Sequence, residues 1–250
     1  MNLEEYGRMY GLEETQWWYV GMRAITAAIV APELPVDRSH VRVLDAGCGT
    51  GNNLKHLAAW GRPVGVDLSE EALRFCRTRG VTVVRGNLLA LPFAPARFDL
   101  VTSFDVIYHR WVTDDRAALR ELVRVIRPGG LLFVRVPALK MLWGAHDEAV
   151  HSRHRYTRAE LVRLFDECGL DVLRTSYCNS LLFPVLALRR AIDRWTNRHG
   201  SDVESLPGPV EGVFRTLLRI EAWWLRRFSF PAGGSVVALG RKRAVSAASP

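Results

Sequence analysis

Between residues 41 and 242 the chain alternates two hydrophobic patterns. Short apolar runs occur at VRVLDAG (41–47), PVGVDL (63–68), VTVVRG (81–86), RFDLVTSF (97–104), LLFVRVP (131–137), LDVLRTSYC (170–178) and GSVVALGRK (234–242). Each is too short for a helix and is bounded by turn residues, so each is read as a buried strand. The second pattern, with apolar positions three and four apart, lies between them. NLKHLAAW (53–60) has this spacing at Leu54, Leu57 and Ala58. Ser69 caps a helix over EEALRFCRTR, with Glu70 and Glu71 in the first turn and Gly80 past the end. Thr113 and the Asp114–Asp115 pair open a helix through Ile126, which RPGG (127–130) stops. Thr157 and Glu160 form a capping box for a helix ending at Cys168-Gly169. Strand–helix alternation of this kind predicts an α/β fold, a parallel sheet with helices on both faces.

Two segments interrupt the regularity. Residues 1–40 contain the helix-like EETQWWYVGMRAITAAIV and are read as an N-terminal helical lid. Residues 179–233 form a long excursion between the sixth and seventh strands, read as a helical insertion. Within it, PVEGVFRTLLRIEAWWLRRF (209–228) is a basic amphipathic helix: Val210, Val213, Phe214, Leu217, Leu218, Trp224, Leu225 and Phe228 share one face, Arg215, Arg219 and Arg226 another. The reading is therefore a single domain over 1–250, with a core at 41–178, the last strand at 234–242 and a disordered tail at 243–250.

Bulk composition changes this picture little. At 250 residues, 48% hydrophobic and 24% charged, the chain suits one soluble globular domain. The net charge of +8 comes almost wholly from arginine, since Lys55, Lys140 and Lys242 are the only lysines. Arginine suits phosphate and carboxylate ligands, nucleic acid or an anionic membrane, and it is also what a GC-rich genome spells, so charge alone decides nothing. Cys48, Cys76, Cys168 and Cys178 form no C-x-x-C pair. The acidic N-terminus lacks an apolar leader core and the longest apolar run, around 180–188, is too short to span a bilayer. The expected location is the cytoplasm.

The sharpest motif is LDAGCGTGNN (44–53), with glycine at 47, 49 and 51 between a strand and a helix. Missing Cβ atoms let the main chain turn tightly and a ligand approach it, and ligands of open α/β sheets bind past the strands' carboxyl ends. A dinucleotide loop wants G-x-G-x-x-G, whereas here the third glycine comes one residue early and Asp45 precedes it. A carboxylate there repels pyrophosphate but suits a ligand carrying an ammonium group. Asp67 ends the second strand, where a carboxylate can accept both ribose hydroxyls.

These features, with VGVDLSEEAL, GNLLALPF, FDLVTSFDVIYH, RELVRVIRPGG and the closing GSVVALGRK, resemble a class I S-adenosylmethionine-dependent methyltransferase from about Val41 to Phe183 and again at the last strand. The resemblance implies a Rossmann-like, seven-stranded, mostly parallel sheet with the final strand antiparallel, and S-adenosylmethionine as cofactor. It places Gly47, Cys48 and Gly49 at the methionine part, held by Asp45. Asp67 and Leu68 fall at the ribose, Asn87 and Leu88 beside the adenine, and Ser103 and Phe104 against the cofactor. The family usually has Asp where Asn87 stands, but an amide oxygen can still accept from the adenine amino group.

Three segments are expected to form the acceptor chamber. The first is EETQWWYVGMR (13–23), similar to the lid of bacterial small-molecule relatives, with Trp17, Trp18, Tyr19 and Arg23. Its aromatic faces would attract a sulfonium, or merely pack the helix onto the sheet. The second is DVIYHR (105–110), where His109 is a candidate base and Tyr108 replaces the glutamate of relatives. The third is HDEAVHSRHRY (146–156). Its histidine spacings of five and three do not match the four of H-E-x-x-H, so no metal is expected. Instead His146, Arg153, His154, Arg155 and Tyr156 read as anion recognition, with His151 as a second proton carrier, or as a solvated basic loop with Tyr156 as a staple. Tyr177 is also assigned to the acceptor.

The expected activity is methyl transfer to a small, apolar, anionic acceptor: an isoprenoid diphosphate methylated at carbon, a lipid-linked sugar, or a natural-product hydroxyl. Nucleic acid is not expected as a partner, since no RNA-binding module or N-P-P-Y-type motif is present, although a nucleic-acid methyltransferase is the alternative enzyme. A non-catalytic membrane-surface or dimerisation scaffold built on 209–228 is the other alternative. Peripheral membrane contact and a homodimer are also compatible with catalysis.

Overall fold

A computed structural model describes residues 3–196 and 208–244. Its strands are β1 (Arg42–Ala46), β2 (Arg62–Asp67), β3 (Val83–Arg85), β4 (Phe98–Phe104), β5 (Ile126–Pro137), β6 (Leu170–Cys178) and β7 (Ser235–Lys242). They form one sheet in the order β3-β2-β1-β4-β5-β7-β6. Pairing is parallel from β3 through β5, and β7 runs antiparallel to both β5 and β6. The Rossmann-like, mostly parallel sheet with a reversed last strand is therefore present. Strand order turns at β1 and β4: the chain leaves β1 toward β2 and β3, then returns to β4. Such a switch point opens a crevice past the strands' carboxyl ends.

The helices are α1 (Leu3–Leu12), α2 (Trp17–Val30), α3 (Asn52–Leu57), α4 (Glu70–Thr78), α5 (Asp115–Val125), α6 (Ala145–Ala149), α7 (Arg158–Glu167), α8 (Phe183–Thr196) and α9 (Gly208–Trp224). Local chemistry starts three of them. Ser69 Oγ accepts from Ala72 N, the Asp114 carboxylate from Ala117 N, and Thr157 and Glu160 close the capping box. One boundary differs from expectation. RPGG does not separate helix from strand: α5 stops at Val125 and β5 begins at Ile126, paired with Phe98. The register then shifts so that Leu100 pairs with Leu131, which absorbs residues 127–130 as an irregularity inside the strand. Lys242 Nζ donates to the carbonyls of Val123 and Ile126, 2.7 Å each, and satisfies the end of α5.

Each face of the sheet has its own core. Leu119, Leu122, Leu161 and Phe165 of α5 and α7 pack with Leu44, Val101, Leu132 and Val134. On the other face Met22, Ile25 and Ile29 of α2 pack with Leu218 of α9, with Leu225 just after it, and with Val43, Leu100 and Phe133. The α2–α9 contact depends on Gly21. A Cβ there would lie 2.2 Å from Leu218 Cδ1, so only glycine lets the two helices come this close. The buried part of the amphipathic helix thus lies on α2.

Two further elements were not distinguished in the sequence reading. α1 is separate from α2, and α8 occupies the apolar stretch after β6. At the C-terminus, Arg243 pairs with Asp166 and Asp171, and its N–H bonds Gly169 O. The tail expected to begin at residue 243 is therefore anchored at its first residue, while 245–250 lie outside the described residues. Among the described residues no helix is long and apolar enough to cross a membrane.

Candidate active site

The glycine loop sits at the switch point. Gly47, Gly49 and Gly51 all have positive φ, at 82°, 53° and 84°. Gly47 is constrained twice, because a Cβ would also lie 2.3 Å from Val106 Cγ2. The N–H groups of Gly47 and Cys48 bond the end of β2 at Val66 O, 2.7 and 3.0 Å. Asp67 then grips the loop's far side, accepting from Gly49 N and Ser69 N at 2.9 Å each. Burial raises its pKa while these backbone N–H groups oppose the shift.

A cavity of about 730 Å³ opens above this loop. Gly47, Cys48, Gly49, Asp67, Leu68, Asn87, Leu88 and Phe104 line it. Asp45 and Ser103 do not; they lie fully buried under the loop. Ser103 Oγ donates to Ala46 O at 3.1 Å, so its role is to hold β4 against β1. Asp45 Oδ1 accepts from Thr102 at 2.9 Å, while Oδ2 is buried without a hydrogen-bond partner. Burial pushes the Asp45 carboxyl up to about 7. An orphaned carboxylate oxygen beneath a glycine loop lacks a cation, and a zwitterionic ligand with an ammonium group would supply one. Asn87 already uses its Oδ1 on Leu89 N at 3.0 Å.

The N-terminal helices cover the cavity. Tyr6 and Met9 of α1 line it, and Met9 Cε lies 3.1 Å from where a Gly49 Cβ would stand. Between α1 and α2, buried Glu13 accepts from Thr50 Oγ1 and from Arg79, the latter at 2.6 Å. Its carbonyl accepts from Asn52 at 2.9 Å and from Arg23 at 2.5 Å. The acidic residue ahead of the tryptophans is thus a clasp that ties the lid to the glycine loop. Arg23 also lines the cavity, although its guanidinium is engaged by Glu13 O and Glu14 O.

The acceptor half of the cavity is built from four separate segments. Trp17, Trp18 and Tyr19 come from α2, and Asp105, Tyr108 and His109 from the turn after β4. Leu182, Leu186 and Arg189 come from the stretch around α8, and Ser152 and Arg155 from the stretch after β5. Both packing and cavity-lining roles hold for the tryptophans: Trp17 meets Phe214 edge-on at 5.0 Å, and Trp18 faces the Arg135 guanidinium at 5.0 Å. Arg135 forks onto Asp105, 2.8 and 2.5 Å, at a backbone position with φ of 57°. His109 Nδ1 is buried without a partner, and burial lowers its pKa to about 4. The imidazole is therefore neutral at pH 7 and able to accept a proton. Tyr108 stacks beside it at 5.4 Å, and burial raises its pKa, which keeps the phenol protonated.

The stretch 146–156 corrects the sequence reading most. Arg153 does not line the cavity; it pairs with Asp115. His154 bonds Glu160 at 2.8 Å, and Tyr156, fully buried, donates to Asp115. Arg155 does line the cavity, yet it is forked onto buried Asp147, 2.8 and 3.0 Å, and onto Ala138 O. His151 is outside the lining, edge-on to Trp111 at 6.3 Å. The His146 side chain lies outside the described residues. Tyr177 is also elsewhere, its OH accepting from Arg158 N at 3.1 Å. A cluster of free anion-binding cations is not what forms: nearby carboxylates already neutralise Arg153 and Arg155. The segment instead props up the His109 turn through the backbone. Arg110 N bonds His151 O at 3.0 Å and Arg153 N bonds Tyr108 O at 2.8 Å. Among the described residues no group of His, Cys, Asp or Glu could hold a metal ion.

The sequence reading missed Tyr6, Met9, Leu186, Arg189 and Arg190 as cavity residues, whereas Leu182, in the apolar insertion expected to suit a greasy acceptor, does line the cavity. Spacings of three and four, at 6/9 and 182/186, were the available signal.

A family model described as "Methyltransferase domain" matches residues 43–130. Over residues 43–130 the chain is therefore similar to methyltransferase domains. It is 35% identical to a Mycolicibacterium smegmatis protein named "Probable S-adenosylmethionine-dependent methyltransferase", over 52% of each chain. It is 32% identical to the malonyl-[acyl-carrier protein] O-methyltransferase of Enterobacter lignolyticus, over 58% of this chain and 62% of that one. The match thus spans roughly half to three-fifths of these curated relatives. In fold it is similar to an SAM-dependent methyltransferase of Thermotoga maritima, with a TM-score of 0.60, 22% identity, and coverage of 96% of this chain and 95% of that one. S-adenosylmethionine, the cofactor in the name of the Mycolicibacterium relative, fits the glycine loop and the Asp67 carboxylate, with the orphaned Asp45 oxygen buried beneath them.

Proposed function

We propose that this chain transfers a methyl group from S-adenosylmethionine to a small acceptor with an apolar body and an anionic group. The observation that carries the reading is one continuous cavity running from the glycine loop and Asp67 to His109 and the α8 arginines. The cofactor supplies an electrophilic methyl group on a sulfonium. Gly47 and Gly49 present bare backbone to it, Asp67 accepts its ribose hydroxyls, and Leu88 packs beside its adenine. Asp45 balances its ammonium through the loop. Trp17, Trp18 and Tyr19 wall the acceptor side and exclude water, which suits a cation near aromatic faces.

Methyl transfer is an in-line displacement in which alignment of donor and acceptor supplies ~7–11 kcal/mol. A base is needed only where the acceptor atom must lose a proton, and neutral His109 is the residue able to take it. Arg135 and Arg155 already fork onto Asp105 and Asp147, so those pairs shape the chamber rather than bind an anion with full charge. Arg189 and Arg190, on α8, also line the chamber and add positive charge on the side where the acceptor's anionic group would lie. The Enterobacter relative is named as an O-methyltransferase of malonyl-[acyl-carrier protein], and a malonyl-type acceptor is compatible with this chamber.

The test has two parts. Calorimetry is expected to detect S-adenosylmethionine binding. A metabolite extract incubated with isotope-labelled methyl donor is expected to yield a mass-shifted product. A chain that binds no cofactor and labels nothing overturns the proposal.

A further inference from the structure

The helix α9 carries two apolar rows, and the fold uses one of them. Phe214, Leu218 and Leu225 turn toward α2 and the cavity, with Leu218 and Leu225 fully buried. Glu221 lies on the same inward side, fully buried, where its Oε2 accepts from Ser180 N and Leu181 N at 2.8 and 3.1 Å. Among the described residues the second row is left largely exposed, Trp224 meeting only Phe228 and Phe230. Val213, Ile220 and Trp224 stand at helical spacing, 57%, 50% and 40% exposed, with Trp223 at 65% and Phe228 at 52% beside them. Arg219 of α9 and, in the turn just after it, Arg226 and Arg227 flank these residues and are exposed. Among the described residues none of these three arginines pairs with a carboxylate. The nearest acids of the helix are otherwise engaged: Glu211 pairs with Arg215 at 3.0 Å, and Glu221 points inward.

We infer that the outward face of α9 is a docking surface for an anionic lipid membrane. Tryptophan and phenylalanine present a broad apolar body to the acyl boundary, and tryptophan keeps its N–H for the headgroups. Arginine stems lie along apolar surface while their guanidinium heads reach phosphate. This is the pattern of a helix lying in the interface plane. A second copy of the chain is a poorer occupant, because a two-fold contact through this face brings together two copies of one arginine-bearing surface whose nearby carboxylates, Glu211 and Glu221, are already engaged. The net charge of +8 favours the same anionic surface. The inference stands independently of the reading of the cavity.

The experiment is vesicle co-sedimentation of the full chain, using phosphatidylcholine with and without phosphatidylglycerol. The expected result is binding only to the anionic vesicles, weakened by salt, with a blue shift of tryptophan emission. Ile220→Glu/Trp223→Glu is expected to abolish binding, and Arg226→Gln/Arg227→Gln to weaken it roughly tenfold or more. An unchanged unfolding midpoint for each variant shows that the fold is kept. Failure of the wild-type chain to bind anionic vesicles overturns the inference, as does equal binding by the folded variants. A wild-type dimer that Ile220→Glu/Trp223→Glu converts to monomer, with no vesicle binding, also overturns it and assigns the face to a second copy.

Discussion

The two halves of the cavity are made in different ways. The cofactor half comes from backbone: glycines with positive φ, N–H groups aimed at Val66 O and Asp67, and a sheet that reverses direction at β1 and β4. The acceptor half comes from side chains of distant segments, and its charges are already paired there, Arg135 with Asp105 and Arg155 with Asp147. The difference teaches where each kind of site is vulnerable. A backbone cradle fails when a Cβ is added. A paired chamber fails when one partner is removed.

The largest effect is expected in the cradle. Gly47→Val places a β-branched residue at φ of 82° and against Val106, and is expected to eliminate cofactor binding by calorimetry. Binding within a few-fold of wild type would show that the loop is not the cofactor cradle. Next comes the base. For a hydroxyl or carbon acceptor, His109→Phe is expected to lower turnover by about 10²–10⁴-fold while cofactor affinity stays unchanged. In wild type, the His109 contribution to rate is expected to be flat from neutral pH down toward 5, because burial holds its pKa at about 4. The same shift links to stability. The unfolded chain binds this proton at higher pH than the folded chain, so the neutral ring's contribution is complete above the ordinary histidine pKa and is lost as pH falls through about 4. A pH–rate profile and acid unfolding check both signs.

The chamber's pairs come third. Arg155→Leu leaves Asp147 charged and buried, and is expected to cost about 3–5 kcal/mol by urea unfolding. Arg155→Leu/Asp147→Leu together should cost less than the single change. A single and a double variant of equal stability would mean that the pair is not coupled. The smallest effect is expected at Arg153, partly exposed and outside the cavity. Arg153→Ala should change stability by no more than ~1 kcal/mol and leave the acceptor KM unchanged. A raised KM there would restore the loop as an anion site.

How much was legible follows the same division. Apolar runs placed the strands within a few residues, the start of β5 excepted, because burial on both faces writes a continuous apolar run. Capping chemistry located the starts of α4, α5 and α7, since a cap is chosen within one turn. The RPGG boundary misled, because a register shift is a property of the pair Phe98–Ile126 and not of either strand alone. The basic appearance of 146–156 misled for a similar reason. Its partner Asp115 reaches it only through the fold, from a helix 38 residues earlier in the chain, and Asp147, inside the stretch, meets Arg155 only once the segment folds back on itself.

By itself, then, the sequence determined the sheet, the glycine loop and the carboxylate after β2, because strand burial, positive φ and strand-end geometry are encoded within a few neighbouring residues. Tertiary structure alone decided which charges remain to meet a ligand. Arg153 and Arg155 were assigned to carboxylates, His109 was buried and made neutral, and one row of α9 was spent on α2 while the other was left facing outward. Pairing and burial depend on which distant side chain arrives within a few ångströms, and that distance exists only once the chain has folded.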